Sequence, residues 1–465
     1  MKSVGGAFRN ENRAIFNSLD RAAIGEWVYH LCIQRLMAGW LVGIDGRSIV
    51  DLADRQLAKF RHSQPHFISI ATPDPIEFIA AFMAGSRLGL PIFLGNPRWG
   101  ITEREKLARL TARVDSQQHR HLIMIPTGGS SGAIKLAMHS WETLGASVWG
   151  FQEFYEVATV NCVCTLPLYH VSGLMQLCRS LLTDGKLFII DLHQLDLNPA
   201  LLIDRIEAED YFISLVPTQL SKLLDLNASW LARMRTILVG GAPPRSELLT
   251  RARVAKLPLA LTYGMTETGS QITSLKPSEF LAGNNSCGVA LPHVKIKLLA
   301  AANIMKKSQL VDRVGTIQIA ADSLMLGYFP DLNSSGYFEP DDVGTIDEHG
   351  YLNIVGRSSS KIITGGENVF PIEVVDIIMA TGLVADVWVM GIPDRYWGQA
   401  VTAVYVANNL PASAEILSQA IAGKISSYKL PKYWIAVDRI PRNALGKILD
   451  RDLTKIVGDL IGFNL

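Results

Sequence analysis

The sequence predicts an α/β protein with parallel sheets in its first two-thirds, followed by a small β-rich module and a compact α+β unit. Before about Gly288, short apolar runs alternate with amphipathic stretches of helical length. After Gly288, clusters of Gly, Pro, Asn and Asp separate the apolar runs. At 465 residues the chain is long enough for two or three hydrophobic cores, at about 150 residues per domain.

The apolar runs of the first part are predicted to be buried strands, and they occupy residues 67–70, 121–125, 160–166, 187–190, 211–216 and 236–239. Amphipathic stretches at residues 75–88 and 199–207 predict helices between these strands. Strand, helix and strand at this spacing indicate βαβ units, and therefore parallel sheets.

The β-rich module is predicted from strands at residues 294–299, 315–319 and 351–355. The α+β unit begins near Lys361. Its helices are expected at residues 371–379 and 412–425, and its strands at residues 384–389 and 400–406.

Charge and hydropathy exclude several classes of partner. The formal net charge is only +1, so no excess of either sign favours nucleic acid or a membrane surface. No apolar run approaches the roughly 20 residues that cross a bilayer, and the N-terminus lacks the apolar core of a signal peptide. We expect a soluble, cytoplasmic protein; whether it is a monomer or a homodimer stays open.

The five cysteines form neither a paired framework nor a CxxC metal pattern, which fits a reducing cytoplasm. Cys162 and Cys164 lie two residues apart in a predicted strand, so both should point to the same face. We predict that they are buried thiols of a core strand.

A loop rich in glycine and hydroxyl groups follows the predicted strand at residues 121–125. Its residues are Thr127, Gly128, Gly129, Ser130, Ser131 and Gly132, with Lys135 just beyond. Such a loop presents backbone N–H groups and hydroxyls to one point, which suits phosphate oxygens. It is not a Walker loop, because no Gly-Lys-Ser/Thr closes it, and an ordinary turn is the alternative.

The same loop also satisfies the G-x-S-x-G pattern of a serine hydrolase, with Ser130 as the nucleophile. A hydrolase would need an acid and a histidine downstream, and His293 or His349 could serve. Lys135 would then have no role.

Two further segments carry residue types suited to ligand binding. His170 follows a buried strand and precedes a small residue and a glycine, at the kind of strand end where α/β sheets bind ligands. In the segment 261–268, Tyr263 could stack on a base, Gly264 permits close approach, and Thr266 beside Glu267 could hold Mg²⁺. A structural histidine and a capped surface turn are the respective alternatives.

In their order, these motifs resemble those of the superfamily of acyl-CoA synthetases, non-ribosomal peptide adenylation domains and luciferases. The resemblance covers nearly the whole chain. Residues 127–135 are similar to its phosphate-binding loop, 166–173 to its Pro-Leu-aromatic-His segment, 239–243 with Gly241 and Ala242 to its adenine-contacting turn, and 263–267 to its Tyr-Gly-x-Thr-Glu motif. The later motifs of the superfamily are resembled by three further segments: residues 336–344 with Asp342, Gly356 with Arg357, and residues 441–447 with Lys447.

The resemblance implies a large N-terminal domain, residues 1–358, made of two parallel-sheet α/β subdomains and a small β-barrel module. A mobile α+β domain, residues 359–465, would carry the catalytic lysine. The implied activity is that of an ATP-dependent, AMP-forming ligase, which activates a carboxylate as an acyl-adenylate and passes the acyl group to CoA.

The residue roles that the resemblance implies use ATP, Mg²⁺ and CoA. Lys447 would contact the carboxylate and the α-phosphate, Glu267 would hold Mg²⁺, and His170 would gate access to the adenylate. The leaving pyrophosphate would be steered by Thr127, Ser130, Ser131 and Lys135. Tyr263 would stack on adenine, and Asp342 and Arg357 would fix the ribose. Gly365 and Gly366 would line the pantetheine tunnel.

Some positions depart from the family pattern. Gly128 and Leu136 stand where the family often has Ser and Gly, and Pro340-Asp341 replaces the usual Thr-Gly before the ribose aspartate. Ser359 stands at the hinge, where Asp or Lys is usual.

The short chain and its motifs look most like those of superfamily members that activate 2-succinylbenzoate in menaquinone and phylloquinone biosynthesis. Another aromatic or acyl acid is the alternative, and so is a protein that binds nucleotide without ligating. The acid would lie near His170 and Gly264. Because a buried charge needs a partner, Arg98 is a candidate for the far carboxylate of a dicarboxylic acid.

Overall fold

The computed structural model describes residues 11–127, 134–192, 194, 205–226, 229–300, 314–332, 336–408, 412–442, 448, 453 and 456–458. The helices within these residues are α1 (Glu11–Ser18), α2 (Arg21–Met37), α3 (Gly46–Ser63), α4 (Pro75–Leu88), α5 (Ile101–Thr111), α6 (Trp141–Tyr155), α7 (Val171–Leu182), α8 (Pro217–Asp225), α9 (Ser246–Val254), α10 (Pro277–Leu281), α11 (Pro371–Met379) and α12 (Ala414–Ile421).

The strands fall into four sheets, described in turn below. They are β1 (Ile68–Ile70), β2 (Ile92–Leu94), β3 (Ile123–Pro126), β4 (Leu136–His139), β5 (Asn161–Cys164), β6 (Leu187–Ile189), β7 (Tyr211–Leu215), β8 (Thr236–Val239), β9 (Leu259–Met265), β10 (Ser270–Ser274), β11 (Val289–Ala290), β12 (Val294–Ala300), β13 (Val314–Ala321), β14 (Asp342–Ile346), β15 (Leu352–Arg357), β16 (Ile362–Thr364), β17 (Glu367–Val369), β18 (Val384–Asp394), β19 (Gly398–Ala407) and β20 (Tyr433–Ala436).

The first sheet has the order β1-β2-β3-β4. Its first three strands are parallel, and α4 connects β1 to β2. Asp74 starts α4 by accepting hydrogen bonds from the N–H groups of Ile76 (2.7 Å) and Glu77 (3.2 Å), and Pro75 occupies the first turn. Strand β4 returns antiparallel to β3, so that the two strands bracket the predicted phosphate-binding loop.

The second sheet has seven strands in the order β11-β10-β9-β8-β7-β5-β6. Strands β5 to β9 are parallel to their neighbours, whereas β10 and β11 add an antiparallel edge. One large core joins this sheet to the first: it contains Ile123 of β3, Cys162 of β5, and side chains of α2, α6 and α7 such as Val28, Val148 and Leu177. The two parallel-sheet subdomains therefore share a hydrophobic interface.

The predicted β-rich module is a third, antiparallel sheet with the order β12-β13-β14-β15. The last sheet has the order β17-β16-β19-β18, with β20 parallel to β19. Helices α11 and α12 bury Val374, Ile378 and Leu417 in a core of their own with this sheet. This is the predicted α+β unit.

Most predicted elements lie where the sequence places them. Cys162 and Cys164 are buried in β5, as predicted. The predicted helix at 199–207 falls mostly outside the described residues, and its residues 205–207 form a turn. The helix expected at 412–425 is shorter, because Ala422 takes an extended ψ of 134° and ends α12. Among the residues described here, none of the helices combines the length and apolar character that crossing a bilayer requires.

Candidate active site

The hairpin of β3 and β4 holds the two ends of the predicted phosphate-binding loop together. The N–H of Thr127 donates to the carbonyl of Lys135 across a distance of 2.9 Å. The loop residues Gly128, Gly129, Ser130, Ser131 and Gly132 lie outside the described residues, and so does the serine of the hydrolase alternative.

Lys135 and Glu267, predicted to act on phosphate and metal, meet through a tyrosine that the sequence analysis missed. The ammonium of Lys135 lies 5.3 Å from the ring centroid of Tyr328. The Tyr328 hydroxyl donates to Oε1 of Glu267 at 2.7 Å. Burial, followed by the charge of Glu267, raises the pKa of Tyr328. A cation and a carboxylate thus flank one phenol beside the loop.

His139 fixes the turn that carries Thr266 and Glu267. Its Nε2 lies 2.7 Å from the carbonyl oxygen of Thr266, and its Nδ1 lies 3.0 Å from Oγ1 of Thr143. Burial lowers the pKa of His139 to about 4, so the ring is neutral at pH 7 and donates from Nε2 to the carbonyl. No motif pointed to this residue.

Tyr263, Asp342 and Arg357, all predicted to contact the nucleoside, form one cluster. The Tyr263 hydroxyl donates to Oδ2 of Asp342 at 2.6 Å, and Nε of Arg357 donates to Oδ1 at 3.2 Å. Asp342 and Arg357 are register partners on β14 and β15. Asp342 is only 7% exposed, and burial together with the Asp342 charge raises the pKa of Tyr263.

Two predicted glycines stand where the backbone requires them. A Cβ on Gly264 would lie 2.1 Å from the carbonyl oxygen of Ser270 on the neighbouring strand β10. Gly241, in the predicted adenine-contacting turn beside Ala242, has φ +83°, a left-handed value that favours glycine.

His170 caps the N-terminus of α7, and its ring centroid lies 4.8 Å from that of Tyr169. Arg98 is exposed, and its N–H donates to Oδ1 of Asn96. Burial raises the pKa of Tyr169, and the charge of Arg98 opposes that shift, so this guanidinium lies near the His170 segment.

Arg179, nine residues after His170 on α7, is a buried cation that the sequence analysis missed. It is 2% exposed, and its Nε and Nη2 have no hydrogen-bond partner among the described residues. The guanidinium stacks on Phe151 at 4.2 Å, which offsets about 0.5–2 kcal/mol of its desolvation. Burial lowers its pKa. A buried guanidinium with free donors is suited to bind a carboxylate.

The predicted hinge and tunnel segments follow β15. The N–H of Ser359 lies 3.2 and 3.1 Å from the two carboxylate oxygens of Asp341, and its hydroxyl also contacts that carboxylate. Gly365 and Gly366 form the left-handed turn between β16 and β17, with φ of +57° and +84°. Lys447 lies outside the described residues.

The structure describes both histidines that the hydrolase alternative names, His293 and His349. Nε2 of His293 lies 3.1 Å from the hydroxyl of Ser323, and burial lowers its pKa to about 4 against the opposing charge of Asp322. His349 is exposed beside Glu348.

The predicted Mg²⁺ would need only one or two ligands from the protein. Within the described part of the chain, no group of three or more His, Cys, Asp or Glu side chains could hold a metal ion. Mg²⁺ is usually held by one or two carboxylates together with substrate phosphates. Glu267, whose Oε1 accepts from Tyr328, is a carboxylate that would fit this role.

Comparison with known proteins adds the family. The AMP-binding enzyme family matches residues 104–329, and the AMP-binding enzyme C-terminal domain matches residues 373–447. The 2-succinylbenzoate–CoA ligase of Enterococcus faecalis is 30% identical over 330 residues, which are 69% of this chain and 67% of that enzyme. The chain belongs to the AMP-binding enzyme family.

Other relatives of this AMP-binding enzyme differ in the acid they are named for. The 2-succinylbenzoate–CoA ligase of Bacillus licheniformis is 33% identical over 62% of this chain and 60% of that enzyme. The indoleacetate–CoA ligase of Aromatoleum aromaticum is 30% identical over 72% of this chain and 67% of that enzyme. The alignments thus span about 60–67% of these relatives.

Solved structures confirm the predicted fold class. The o-succinylbenzoate coenzyme A synthetase of Bacillus subtilis in complex with AMP superposes with a TM-score of 0.78 at 23% identity. The match covers 91% of this chain and 97% of that structure.

Proposed function

We propose that this chain is an ATP-dependent, AMP-forming acid–CoA ligase. Its reaction would convert 2-succinylbenzoate, ATP and CoA to 2-succinylbenzoyl-CoA, AMP and diphosphate, as a step of menaquinone or phylloquinone biosynthesis. The reaction class is supported above all by the contacts at the end of β9. Tyr263 there contacts Asp342, and Glu267 in the following turn contacts Tyr328 beside Lys135. The groups that would bind the nucleoside and those that would bind phosphate therefore share one strand end.

In the first step, a carboxylate oxygen of the acid attacks the α-phosphorus of ATP, and the bond to the β-phosphate breaks. Diphosphate leaves with the electron pair. Because a carboxylic acid with a pKa of about 4 is already ionised at neutral pH, no general base is needed. The barrier is the approach of two anions, so positioning and cations should supply most of the catalysis.

The roles of the residues follow from this barrier. Lys447 would neutralise the developing charge, and Lys135 with Thr127, Ser130 and Ser131 would bind the leaving diphosphate. Bound Mg²⁺ would neutralise phosphate charge, and Glu267 would hold it. The N–H groups of Gly128, Gly129 and Gly132 would complete the phosphate cradle, while Asp342 and Arg357 would bind the ribose.

In the second step, the thiolate of CoA attacks the acyl carbonyl, the thiol proton goes to solvent, and AMP leaves. We propose that Gly365 and Gly366 line the path of the thiol and that His170 controls access to the adenylate. Residues 1–358 would form the body, and residues 359–465 the domain that moves between the two steps.

The choice of a dicarboxylic acid is supported by Arg179. An unpaired buried charge costs several kcal/mol, and a substrate carboxylate would remove that cost. Arg179 lies on the helix that begins at His170, so it is a stronger candidate for the far carboxylate than the exposed Arg98. An acid with one carboxylate, such as the one named for the indoleacetate relative, is the alternative.

The test is ATP–pyrophosphate exchange over a panel of acids. The panel includes 2-succinylbenzoate and the two analogues that each lack one of its carboxylates. We expect exchange with 2-succinylbenzoate. ATP binding without exchange for any acid would mean a nucleotide-binding protein, and ester hydrolysis without ATP would mean a hydrolase.

Two arginine variants locate the far carboxylate in the same assay. Arg179→Gln should raise the KM for 2-succinylbenzoate by at least roughly tenfold, since a buried charge-assisted pair is worth about 1.5–3 kcal/mol. The KM for ATP and the exchange with the monocarboxylic analogues should change little. If Arg98→Ala alone reproduces the effect, Arg98 and not Arg179 binds this carboxylate.

A cytoplasmic location and a homodimer belong to the same proposal. All five cysteines are free thiols, as a reducing compartment would keep them. Light scattering of the purified chain tests the homodimer.

A further inference from the structure

Asp386 joins the two parts of the chain through two arginines. Arg245, at the N-terminus of α9, donates from Nη2 to Oδ1 of Asp386. Arg442 donates from Nη2 to both carboxylate oxygens at 2.9 Å, and from Nε to Oδ2 at 3.3 Å. Asp386 is 21% exposed, so water screens the pairs only in part. One carboxylate therefore binds an arginine of the body and an arginine near the C-terminus.

A local irregularity of β18 presents this carboxylate to the body. The pairing of β18 with β19 shifts between Val384 and Asp386. Such a bulge re-aims the side chains that follow it. The carbonyl of Ala385 also accepts from Nη1 of Arg245 at 3.4 Å, so the guanidinium bonds to two adjacent groups of the bulge.

The body side of the contact adjoins the nucleotide-binding turn. Arg245 lies three residues after Ala242 of the predicted adenine-contacting turn. Burial raises the pKa of Asp376 on α11, and the charge of Arg245 opposes that shift, so Arg245 faces two acids of the small domain. Arg245 thereby marks where the small domain docks next to the nucleotide site.

The other arginine belongs to the segment that contains Lys447. Arg442 forms an antiparallel bridge with Ile448, and these two residues flank Lys447 in the sequence. The Arg442 side chain ties the start of that segment to β18. The contact of β18 with Arg245 and the contact of β18 with Arg442 are thus made by one carboxylate.

We propose that Asp386 is a positioning residue for adenylate formation, because its carboxylate binds both Arg245 of the body and Arg442, which lies five residues before Lys447. This rests on the proposed function, in which Lys447 acts in the first step and withdraws for the second. Bonds made in one orientation of the small domain favour that orientation by their own free energy, and so favour the step that uses it.

The test measures the two half-reactions separately in the full-length protein. Asp386→Asn should slow acyl-adenylate formation on the order of tenfold, the size of a typical coupling between sites. The rate of thioester formation from supplied acyl-adenylate and CoA should stay the same or rise. Arg245→Ala should give the same split, and the double variant should be no slower than Asp386→Asn, because both changes break one contact.

Arg251→Ala is the matched control. Arg251 lies on the same helix, and its Nη2 pairs with Oδ1 of Asp225 at 2.6 Å within the body. Its loss should leave both half-reactions unchanged. Raising the salt concentration should slow adenylate formation more in the wild type than in Arg245→Ala, since the partly exposed pair is screened.

Equal slowing of both steps by Asp386→Asn, or no split with Arg245→Ala, would overturn the proposal. If Asp386→Asn fails to fold, Arg245→Ala decides alone, because that change leaves the bonds between Arg442 and Asp386 in place. Failure of the proposed function is distinct, since the wild type would then form no adenylate from any acid.

Discussion

At the scale of single residues, Asp342 is the most constrained group of the candidate site. Its carboxylate accepts from the Tyr263 hydroxyl and from Nε of Arg357. Both bonds fix the orientation of a buried carboxylate before any nucleotide binds, which reduces the entropy lost on binding. A ribose would meet an acceptor that is already in place.

Tyr263→Phe keeps the ring and removes the hydroxyl. We expect the free energy of unfolding to fall by about 1 kcal/mol and the KM for ATP to rise roughly fivefold, as the carboxylate loses one of its fixed donors. The KM for the acid should not change. Urea unfolding and exchange kinetics at varied ATP measure these effects.

Tyr351→Phe is the control for that change. The Tyr351 hydroxyl donates to Oε1 of Glu279 at 2.7 Å, another tyrosine–carboxylate bond but one outside the candidate site. Its loss should lower stability without altering the KM for ATP. An unchanged or lower KM for ATP in Tyr263→Phe would mean that its hydroxyl competes with the ribose.

Sequence motifs identified Tyr263, Asp342 and Arg357, and the structure brings these three residues into one cluster. Motif residues and their order can be read without knowledge of the fold. Arg179, His139 and Asp386 were missed for a physical reason. Their roles come from burial or from contacts between residues far apart in sequence, and neither leaves a local pattern. A buried arginine on an otherwise apolar helix face is the one signal that could have revealed Arg179.

At the scale of elements, the antiparallel pair β9–β10 sets the position of the groups that are proposed to bind nucleotide. Gly264 pairs with Gln271, and the register shifts just beyond, between Gln271 and Thr273. The close approach of β9 and β10 at Gly264 holds Tyr263 on one side of this glycine and the turn at Thr266 on the other.

Gly264→Ala should push the two strands apart. A Cβ there meets the carbonyl oxygen of Ser270 at 2.1 Å, and backbone has to move to relieve that contact. We expect a loss of about 1–3 kcal/mol in unfolding free energy and a marked loss of exchange activity. Denaturant unfolding and the exchange assay measure both.

Gly100→Ala is the comparison for Gly264→Ala, because a Cβ on Gly100 would meet only the end of the Glu103 side chain, at 3.1 Å. It should cost at most about 1 kcal/mol, which is the cost of placing alanine instead of glycine at the N-cap of α5, and it should leave exchange activity unchanged. Equal losses at both positions would mean that the strand contact at Gly264 does not constrain the site.

Elements with strong end signals were predicted to the residue. Helix α4 has Asp74 and Pro75 at its start and Gly89, with φ +65°, at its end. Strand β4 was not predicted, because three apolar residues and a histidine shortly before a helix cannot be told from the start of that helix by periodicity. The bulge at Ala385 was also beyond prediction, since it depends on the pairing with β19.

At the scale of the whole molecule, the proposed mechanism requires the small domain to serve one step and then the other. Lys447→Ala should reduce acyl-adenylate formation by about a hundredfold or more, as expected for loss of a charge that acts on the transition state. Thioester formation from supplied acyl-adenylate should be unaffected. Single-turnover assays of each step measure this.

Lys424→Ala is the control, an exposed lysine of the same domain, and both steps should keep their rates. Equal loss of both steps in Lys447→Ala would make Lys447 a structural residue.

The proposed movement between the steps would also involve Ser359 at the predicted hinge. Asp341 binds both the N–H and the hydroxyl of Ser359, and its carbonyl accepts from the N–H of Ser358 at 2.7 Å. A rotation about Ser359 has to break these bonds. Asp341 was identified from sequence only as a departure from the family pattern, since its contact with the hinge depends on the folded chain.

The free cysteines have a consequence under the proposed function, in which the intermediate is an acylating agent. An acyl-adenylate reacts with thiolates, so it could acylate the cysteine thiols of the protein itself. Burial raises the pKa of Cys162, Cys164 and Cys178 to about 12 and that of Cys287 to about 11, and Cys32 shifts in the same direction. The four buried thiols would thus escape self-acylation, and the partly exposed Cys287 would be protected because it stays protonated.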